Sequence, residues 1–337
     1  MSAKLKIITV KEDDDGQRLE RWLKKNVPDM PYVLAQKLMR KGQIRMDGKR
    51  VKPETRIIAG LDIKVPPFDV KERTHKPQKR DLSEADIDLI RSLVIYKDDD
   101  VIAINKPYGL ASQGGTNTDR HVDAMLLALK NDEGVVPRLV HRLDKDTSGV
   151  MLLARSAKAA KALGEAFKSR DVRKIYWAVV TPTPEMLEGS IKAPIIKSSG
   201  DFEKMIIDED DGKYALTEYH VIESAGQAAA FVAFWPRTGR THQIRVHAAQ
   251  GLGSSIIGDR KYRAVKDEEC KLLDADLAGM DLAKRLHLHS RRIILPHPMK
   301  HGQVLDITAP LDEGLIKSWK ALGFNYKYKQ DPFENIS

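Results

Sequence analysis

The chain has 337 residues, of which 42% are apolar and 31% charged, and its formal net charge at pH 7 is +9. This composition is that of a soluble globular protein and excludes a disordered chain, and the length favours two domains. The single cysteine, Cys270, excludes an intramolecular disulfide and any site built from several cysteines. No apolar run approaches the roughly 18 residues of a membrane span, and no export signal is evident, so we expect a cytoplasmic protein.

The positive charge is concentrated in the N-terminal quarter. Residues 1–80 hold 21 Lys and Arg against 11 Asp and Glu, a net of +10, whereas the remainder holds 36 against 37, a net of −1. This distribution predicts a polyanion-binding module joined to a near-neutral body. A basic domain that only improves solubility is the alternative.

Residues 1–68 are predicted to form a small domain of two helices and a hairpin. Apolar residues spaced by three and four predict a helix over 17–27, and Pro31 suits the first turn of a second helix that ends at Gly42. Asp47-Gly48 predicts a two-residue hairpin. We expect a positive edge where the second helix meets the hairpin, formed by Lys37, Arg40, Lys41, Arg45, Lys49 and Arg50.

Residues 69–89 are predicted as a linker, 90–325 as a large second domain and 326–337 as a C-terminal tail. In the large domain, the patterns predict helices over 157–169 and 312–322 and strands over 93–96, 101–105, 149–154, 174–180, 229–235, 285–295 and 304–307. Several long strands mixed with few helices predict an α+β fold with a mixed, largely antiparallel sheet.

Two segments contain most of the side chains that could take part in catalysis or binding. They are His141-Arg142-Leu143-Asp144-Lys145-Asp146-Thr147-Ser148-Gly149 and Gly239-Arg240-Thr241-His242-Gln243-Ile244-Arg245-Val246-His247. Asp144 lies in a polar turn before a strand, and Arg245 lies in a predicted short helix. Because a desolvated carboxylate stays ionised only beside a cation, Arg245 is the predicted bidentate partner of Asp144. An Asx turn at Asp144 and a surface position for Arg245 are the structural alternatives.

Tyr176 lies on a predicted strand, on the face opposite Ile175 and Trp177. It offers a ring that can stack on a base and a hydroxyl that can move a proton. A plain core tyrosine is the alternative.

Several cofactor motifs are missing from the sequence. It contains no phosphate-binding loop, no dinucleotide fingerprint and no His-Glu-x-x-His pattern, so we expect no nucleotide cofactor, no other cofactor and no metal. The alternative is a metal-dependent hydrolase that uses His242, His247 or His287.

The motifs occur in the order found in the RluA family of pseudouridine synthases, which isomerise uridine within RNA. The resemblance covers about residues 90–325 and rests on the two segments above, on Asn105-Lys106-Pro107-x-Gly109-Leu110 and on Lys174-x-Tyr176-x-Ala178. Residues 15–68 resemble the alpha-L RNA-binding motif. The resemblance therefore implies a pseudouridine synthase catalytic domain of α+β fold, preceded by a small alpha-L RNA-binding domain.

The same resemblance implies roles for individual residues. Asp144 is the essential nucleophile, Tyr176 the active-site tyrosine and Arg245 the arginine paired with the aspartate. A target base must leave its stack, and a long cation can take its place, so Arg142 is assigned to base flipping. Ile244 is expected to pack at the site. The remaining predicted RNA-binding residues are His141, Lys106, Arg240, Lys37, Arg40, Lys41 and Arg45.

The N-terminal module and the tail most resemble the branch of the family that modifies large-subunit ribosomal RNA, although residues 250–285 follow its pattern only loosely. We therefore expect isomerisation of specific uridines in that RNA by a monomeric enzyme without a cofactor. The same reaction on transfer RNA or on other ribosomal sites is one alternative. A non-catalytic RNA-binding or ribosome-assembly factor that keeps the fold is the other.

Overall fold

A computed structural model of the protein describes residues 5–68, 82–115, 118–169, 172–198, 200, 204–264, 279–280, 282–334 and 336. The chain divides into two units, Met1–Asp81 and Leu82–Ser337. Most of the predicted linker, residues 69–81, lies outside the described residues. Its last part was predicted wrongly, because Glu84–Ser92 is a helix in which Ser83 caps the backbone N–H of Asp86 and Ile90 is buried.

The N-terminal unit contains both predicted helices and the predicted hairpin. Its helices are α1 Leu19–Asn26 and α2 Tyr32–Arg40, and its strands are β1 Lys6–Thr9, β2 Arg45–Met46, β3 Lys49–Arg50 and β4 Asp62–Val65. The strands form an antiparallel sheet in the order β1-β4-β2-β3. Asp47 and Gly48 both have positive φ, as the tight hairpin requires, and Trp22 and Ile44 lie in the core.

In the described part of the larger unit, one sheet of eleven strands carries the fold. The strands of this unit are β5 Val94–Lys97, β6 Val101–Lys106, β7 Arg138–Leu139, β8 Ser148–Ala154, β9 Arg173–Thr181, β10 Glu188–Lys192, β11 Ile195–Lys197, β12 Met205–Ile207, β13 Leu216–Ala225, β14 Ala229–Pro236, β15 Ser255–Ile256, β16 Leu288–Pro296 and β17 Val304–Thr308. Strands β11 and β12 form a separate pair.

The main path of the large sheet is β10-β13-β14-β9-β16-β8-β6-β5. Its pairings are antiparallel except between β16 and β8, which run parallel. The predicted α+β fold with a mixed, largely antiparallel sheet is therefore confirmed. The helices of this unit are α3 Glu84–Ser92, α4 Val122–Met125, α5 Ala157–Ser169, α6 Gln243–Val246 and α7 Glu313–Ala321. None of the helices in the described ranges combines the length and the apolar character that crossing a membrane would require.

Strand β9 separates two parts of the core. Trp177 lies on one face with Phe231, and Ala178 lies on the other with Phe234. Tyr176 was predicted to lie on the face opposite Ile175 and Trp177, and this prediction is confirmed, because Tyr176 packs on the second face. The described part of the predicted C-terminal tail packs on the large unit, since Phe333 is fully buried with its ring 5.8 Å from that of Trp235.

Strands β10 and β13 are missing from the sequence prediction. In β10 only Ile191 is buried, so no apolar alternation marks it as a strand. In β13 a bulge between Val221 and Glu223 interrupts the alternation. Strand β10 is at the edge of the sheet and pairs with β13, which pairs with β14, so the pairing with neighbours rather than the local pattern determines the structure there.

Candidate active site

A cleft with a volume of about 770 Å³ lies in the larger unit. It brings together the two sequence segments and strand β9. Seven of the predicted site residues line it: His141, Arg142, Asp144, Tyr176, Arg240, Ile244 and Arg245. These residues are far apart in the sequence, but they lie close together because β8, β9 and β14 belong to the same sheet.

Asp144 lies in a turn whose backbone is held on both sides. Ser112 Oγ donates to the Leu143 carbonyl oxygen at 2.6 Å and accepts from the Leu143 N–H at 3.1 Å. The Thr147 N–H closes the turn on the Asp144 carbonyl oxygen at 3.1 Å. The Asp144 side chain is 36% exposed, so the turn is fixed by main-chain bonds and the carboxylate is accessible from the cleft.

Gly149 ends this turn and has a φ of +111°. A Cβ there would lie 2.2 Å from the backbone oxygen of Ser290, on the neighbouring strand β16. Only glycine fits this close approach, which explains the glycine at the end of the first segment.

Lys106, which the sequence predicts to bind RNA, lies inside the protein, and its amine is engaged by the protein itself. The side chain is fully buried, and Nζ donates to the carbonyl oxygens of Leu110 at 2.7 Å, Pro107 at 2.9 Å and Lys145 at 3.2 Å. Burial lowers the pKa of the Lys106 amine to about 7, while the charges of Asp144 and Asp146 oppose that shift. The amine ties the loop after β6 to the turn that carries Asp144.

Replacement of Lys106 by Met is expected to lower the free energy of unfolding by about 1–3 kcal/mol, because three carbonyl groups lose their donor and the bond to Leu110 is buried. We also expect a lower kcat with nearly unchanged RNA affinity, since the Asp144 turn loses an anchor. Urea unfolding, filter binding and turnover assays measure the three quantities. The exposed Lys158 gives a matched control, Lys158→Met. If Lys106→Met lost RNA affinity while its free energy of unfolding stayed unchanged, the prediction that Lys106 binds RNA would be supported instead.

His141 orients the turn rather than offering a charge. Its Nε2 accepts from the Leu152 N–H at 2.8 Å, and its ring stacks on Phe167 with centroids 4.6 Å apart. Burial lowers the pKa of His141 to about 3, and Lys174 adds to the shift. The imidazole is therefore neutral. Arg142, the next residue, is exposed at the cleft.

The bidentate partner of Arg245 is Asp259, not Asp144, so the pairing expected from sequence was wrong. Arg245 Nε and a terminal nitrogen donate to the two Asp259 oxygens at 2.7 and 2.6 Å. Burial lowers the pKa of Arg245, but the contacts with Asp259 and the charge of Asp144 outweigh this and raise it. The charge of Asp144 thus acts on Arg245 through space, without a bidentate contact between the two.

Tyr176 faces the same cleft. Burial raises the pKa of its phenol to about 12; a hydrogen bond with Ser290 opposes this shift, and the charge of Asp144 adds to it. The hydroxyl therefore stays protonated near neutral pH. A neutral donor with an accessible ring beside a carboxylate can stack on a base and hold a polar atom of it.

Gln243 organises the loop that precedes α6. Its Oε1 accepts from Thr238 Oγ1 at 2.7 Å and from the Arg240 N–H at 3.0 Å, and its Nε2 donates to the Leu216 carbonyl oxygen at 2.9 Å. Arg240 is exposed, with Nε bound to the Tyr214 carbonyl oxygen at 3.1 Å. Ile244 is buried beneath the cleft.

The sequence interpretation missed Asp259, Tyr262, Gln243 and Ser112. Asp259 and Tyr262 lie in the stretch that follows the family branch only loosely, so no motif marked them. The local signal in the sequence was the glycine at position 258. In the structure a Cβ at Gly258 would lie 1.9 Å from the Arg285 carbonyl oxygen, so this glycine marks the packed turn that holds Asp259.

Two of the three histidines proposed as metal ligands, His247 and His287, are engaged in hydrogen bonds inside the protein. His247 bonds Thr217 Oγ1 at 2.8 Å and the Ala193 carbonyl oxygen at 2.9 Å, and His287 Nε2 bonds Ser318 Oγ at 2.8 Å. With these ring nitrogens hydrogen-bonded inside the protein, they lack the free lone pairs that a metal site needs.

Within the described residues, the ligand atoms of Asp98, Asp100 and His297 lie within 4.8 Å of one another. The Asp98 carboxylate already accepts hydrogen bonds from His297 Nε2 and the Tyr96 hydroxyl, each at 2.7 Å. Burial raises the pKa of Asp98, but these bonds and two from the backbone outweigh it and hold the pKa well below its usual range. This arrangement joins the β5–β6 turn to the loop after β16.

The N-terminal unit presents the predicted cations. Lys37, Arg40, Lys41 and Arg45 are exposed at the end of α2 and on the hairpin. Arg45 Nε donates to the Gly42 carbonyl oxygen at 3.0 Å, which holds the guanidinium beside the helix end. The clustering expected from sequence is therefore present in this unit.

Comparison with known proteins identifies the family. A family model described as RNA pseudouridylate synthase matches residues 100–250. Ribosomal large subunit pseudouridine synthase C of Escherichia coli strain K12 is 34% identical over 321 residues, covering 94% of this chain and 97% of that protein. The protein of the same name from Pasteurella multocida strain Pm70 is 35% identical, with 94% of each chain covered.

Among solved structures, human RNA Pseudouridylate Synthase Domain Containing 4 superposes with a TM-score of 0.57 at 28% identity. The match covers 71% of this chain and 97% of that one. The cleft, the order of its motifs and these relatives agree, and the chain belongs to the RluA family of RNA pseudouridine synthases.

Proposed function

We propose that the protein isomerises specific uridines to pseudouridine in large-subunit ribosomal RNA, with Asp144 as the essential nucleophile. The main support is the accessible Asp144 carboxylate in the cleft, with Tyr176, Arg142 and the Arg245–Asp259 pair around it. The relatives named as ribosomal large subunit synthases, which match almost the whole chain, support the ribosomal substrate.

The reaction breaks the bond between N1 of uracil and C1′ of ribose and forms a bond between C5 and C1′. The proton on C5 leaves, and N1 gains one, so no oxidant, reductant or cofactor is consumed. The carboxylate must be ionised to attack the sugar or the base or to stabilise a cationic sugar. The charge of Asp144 and the contacts with Asp259 raise the pKa of Arg245, so this side of the cleft carries a permanent cation.

The other residues of the cleft serve recognition in this proposal. Extruding a uridine from folded RNA costs a few kcal/mol, and the exposed Arg142 guanidinium fills the vacated stack. The Tyr176 ring stacks on the flipped base. The exposed cations of the N-terminal unit, including Lys37 and Arg45, bind phosphates and raise the local concentration of RNA at the enzyme.

Mapping of pseudouridine in ribosomal and transfer RNA from cells that lack the protein tests the proposal. We expect specific positions in large-subunit ribosomal RNA to be lost and to return when the wild-type gene is restored. If pseudouridine were lost only from transfer RNA, the protein would still be a pseudouridine synthase, but its substrate would be transfer RNA. An unchanged map, together with defective ribosome assembly, would favour the binding-factor alternative.

A further inference from the structure

His242 is the side chain whose ring nitrogen approaches the Asp144 carboxylate, with Nε2 at 3.8 Å from Oδ2. It precedes α6 and has a φ of +53°, a left-handed conformation that is unfavourable for a residue other than glycine. Such strain persists only where the surroundings hold the residue in place. At His242 the contacts of the imidazole ring hold the residue in this conformation.

Tyr262 is the group that holds it. The Tyr262 hydroxyl lies 2.7 Å from His242 Nδ1, and the two rings meet edge to face with centroids 5.5 Å apart. The same hydroxyl accepts a hydrogen bond from the Met205 N–H at 3.0 Å. With this acceptor position of the oxygen in use, the single hydroxyl proton is available for donation to Nδ1 of the imidazole.

The direction of this bond is linked to the tautomer of the neutral ring. A ring whose Nδ1 accepts the Tyr262 proton carries its own proton on Nε2, the nitrogen that faces Asp144. Burial lowers the pKa of His242; Asp144 opposes the shift, while Arg245 and Lys261 add to it. The ring is thus a neutral donor directed toward the carboxylate.

The buried ion pair fixes Tyr262 in turn. Asp259 Oδ1 accepts from the Tyr262 N–H at 3.1 Å and from the Lys261 N–H at 2.8 Å. The Arg245 guanidinium lies over the Tyr262 ring, 5.0 Å from its centroid. A continuous chain of contacts therefore runs from Arg245 and Asp259 through Tyr262 to His242 and ends at Asp144.

We propose that His242 is a positioning residue for the reaction, whose Nε2–H donates to the Asp144 carboxylate once a uridine occupies the cleft, and that Tyr262 selects the required tautomer. The inference rests on the proposed role of Asp144. The distance of 3.8 Å exceeds a hydrogen bond and must contract by about 1 Å, as such contacts do when substrate is bound. The bond orients the carboxylate and favours its ionised form.

Two substitutions at His242 separate this role from a structural one. Asparagine tolerates the left-handed conformation but is too short to replace Nε2, whereas the amide nitrogen of glutamine reaches that position. In single-turnover and steady-state assays on the mapped RNA, His242→Asn is expected to lower kcat about 10- to 100-fold with KM within a few-fold. His242→Gln is expected to recover most of that loss. His220→Gln, at a half-buried histidine on β13 that pairs with Glu188, is the control and is expected to retain full activity.

Nitrogen-15 NMR of labelled histidine gives the second readout. Wild type is expected to show the Nε2–H tautomer for His242 at neutral pH, and Tyr262→Phe to show a mixture of both tautomers with lowered kcat. An Nδ1–H ring or an imidazolium in wild type would overturn the proposal, as would undiminished kcat in His242→Asn. Retained activity of Asp144→Asn would instead overturn the proposed function itself, so the two failures are distinguishable.

Discussion

Asp144→Asn is expected to reduce pseudouridine formation by at least about 10³-fold while RNA affinity stays within a few-fold. The amide keeps the size and the hydrogen-bonding oxygen of the side chain. The turn itself is held by hydrogen bonds from the Ser112 hydroxyl and the Thr147 N–H to main-chain carbonyl oxygens. Fold and binding therefore persist, whereas the nucleophilic charge is removed. Release of the C5 hydrogen from labelled uridine measures the reaction, and filter binding measures the affinity.

Asp146→Asn is the matched control for this variant, because it removes a charge from the same turn two residues away. It is expected to retain activity within a few-fold. If Asp144→Asn lost RNA affinity to the same extent as activity, Asp144 would be a binding residue and not the nucleophile. If both variants lost activity equally, the net charge of the turn rather than the Asp144 carboxylate would matter.

The largest expected effect on stability follows from breaking the Arg245–Asp259 pair. The two side chains are 4% and 1% exposed, so Asp259→Asn leaves a buried guanidinium without its counter-charge. We expect the free energy of unfolding to fall by about 3–5 kcal/mol in urea titrations. Activity falls as well, because Asp259 also holds the backbone of Tyr262.

Arg292 and Asp306 provide the control pair, because their contact is also bidentate but the side chains are 27% and 43% exposed. Asp306→Asn is expected to cost at most about 1 kcal/mol, since water screens an exposed pair. The double substitution Arg245→Met with Asp259→Leu is expected to regain part of the lost stability but no activity. Equal costs for Asp259→Asn and Asp306→Asn would show that the buried guanidinium finds another partner.

Elements with strong local patterns were predictable. The helix expected over 157–169 is found at Ala157–Ser169, and the hairpin at Asp47-Gly48 forms as its turn residues require. Strand β9 shows the predicted alternation about Tyr176. Strands β10 and β13 were missed because an edge position and a bulge leave no regular apolar spacing.

The membership of the active site could also be predicted, since each motif carries residue types that the chemistry needs. Asp144, Tyr176 and Arg245 do meet in one cleft. The contacts among them could not be predicted. Lys106 looked like a surface cation, yet its amine lies beneath the Asp144 turn on three carbonyl oxygens.

The sequence by itself determined the fold class, the basic character of the N-terminal unit and the identity of the residues that surround the cleft. The first two depend on apolar periodicity, turn chemistry and net charge, which are local properties, whereas the cleft residues were identified by the resemblance of their motifs to those of the family. Only the tertiary structure decided that Arg245 binds Asp259 and that the His242 ring lies between the Tyr262 hydroxyl and the Asp144 carboxylate. The physical reason is that a charged or polar side chain pairs with whatever the packed strands bring within about 3 Å, and sequence spacing does not encode that distance.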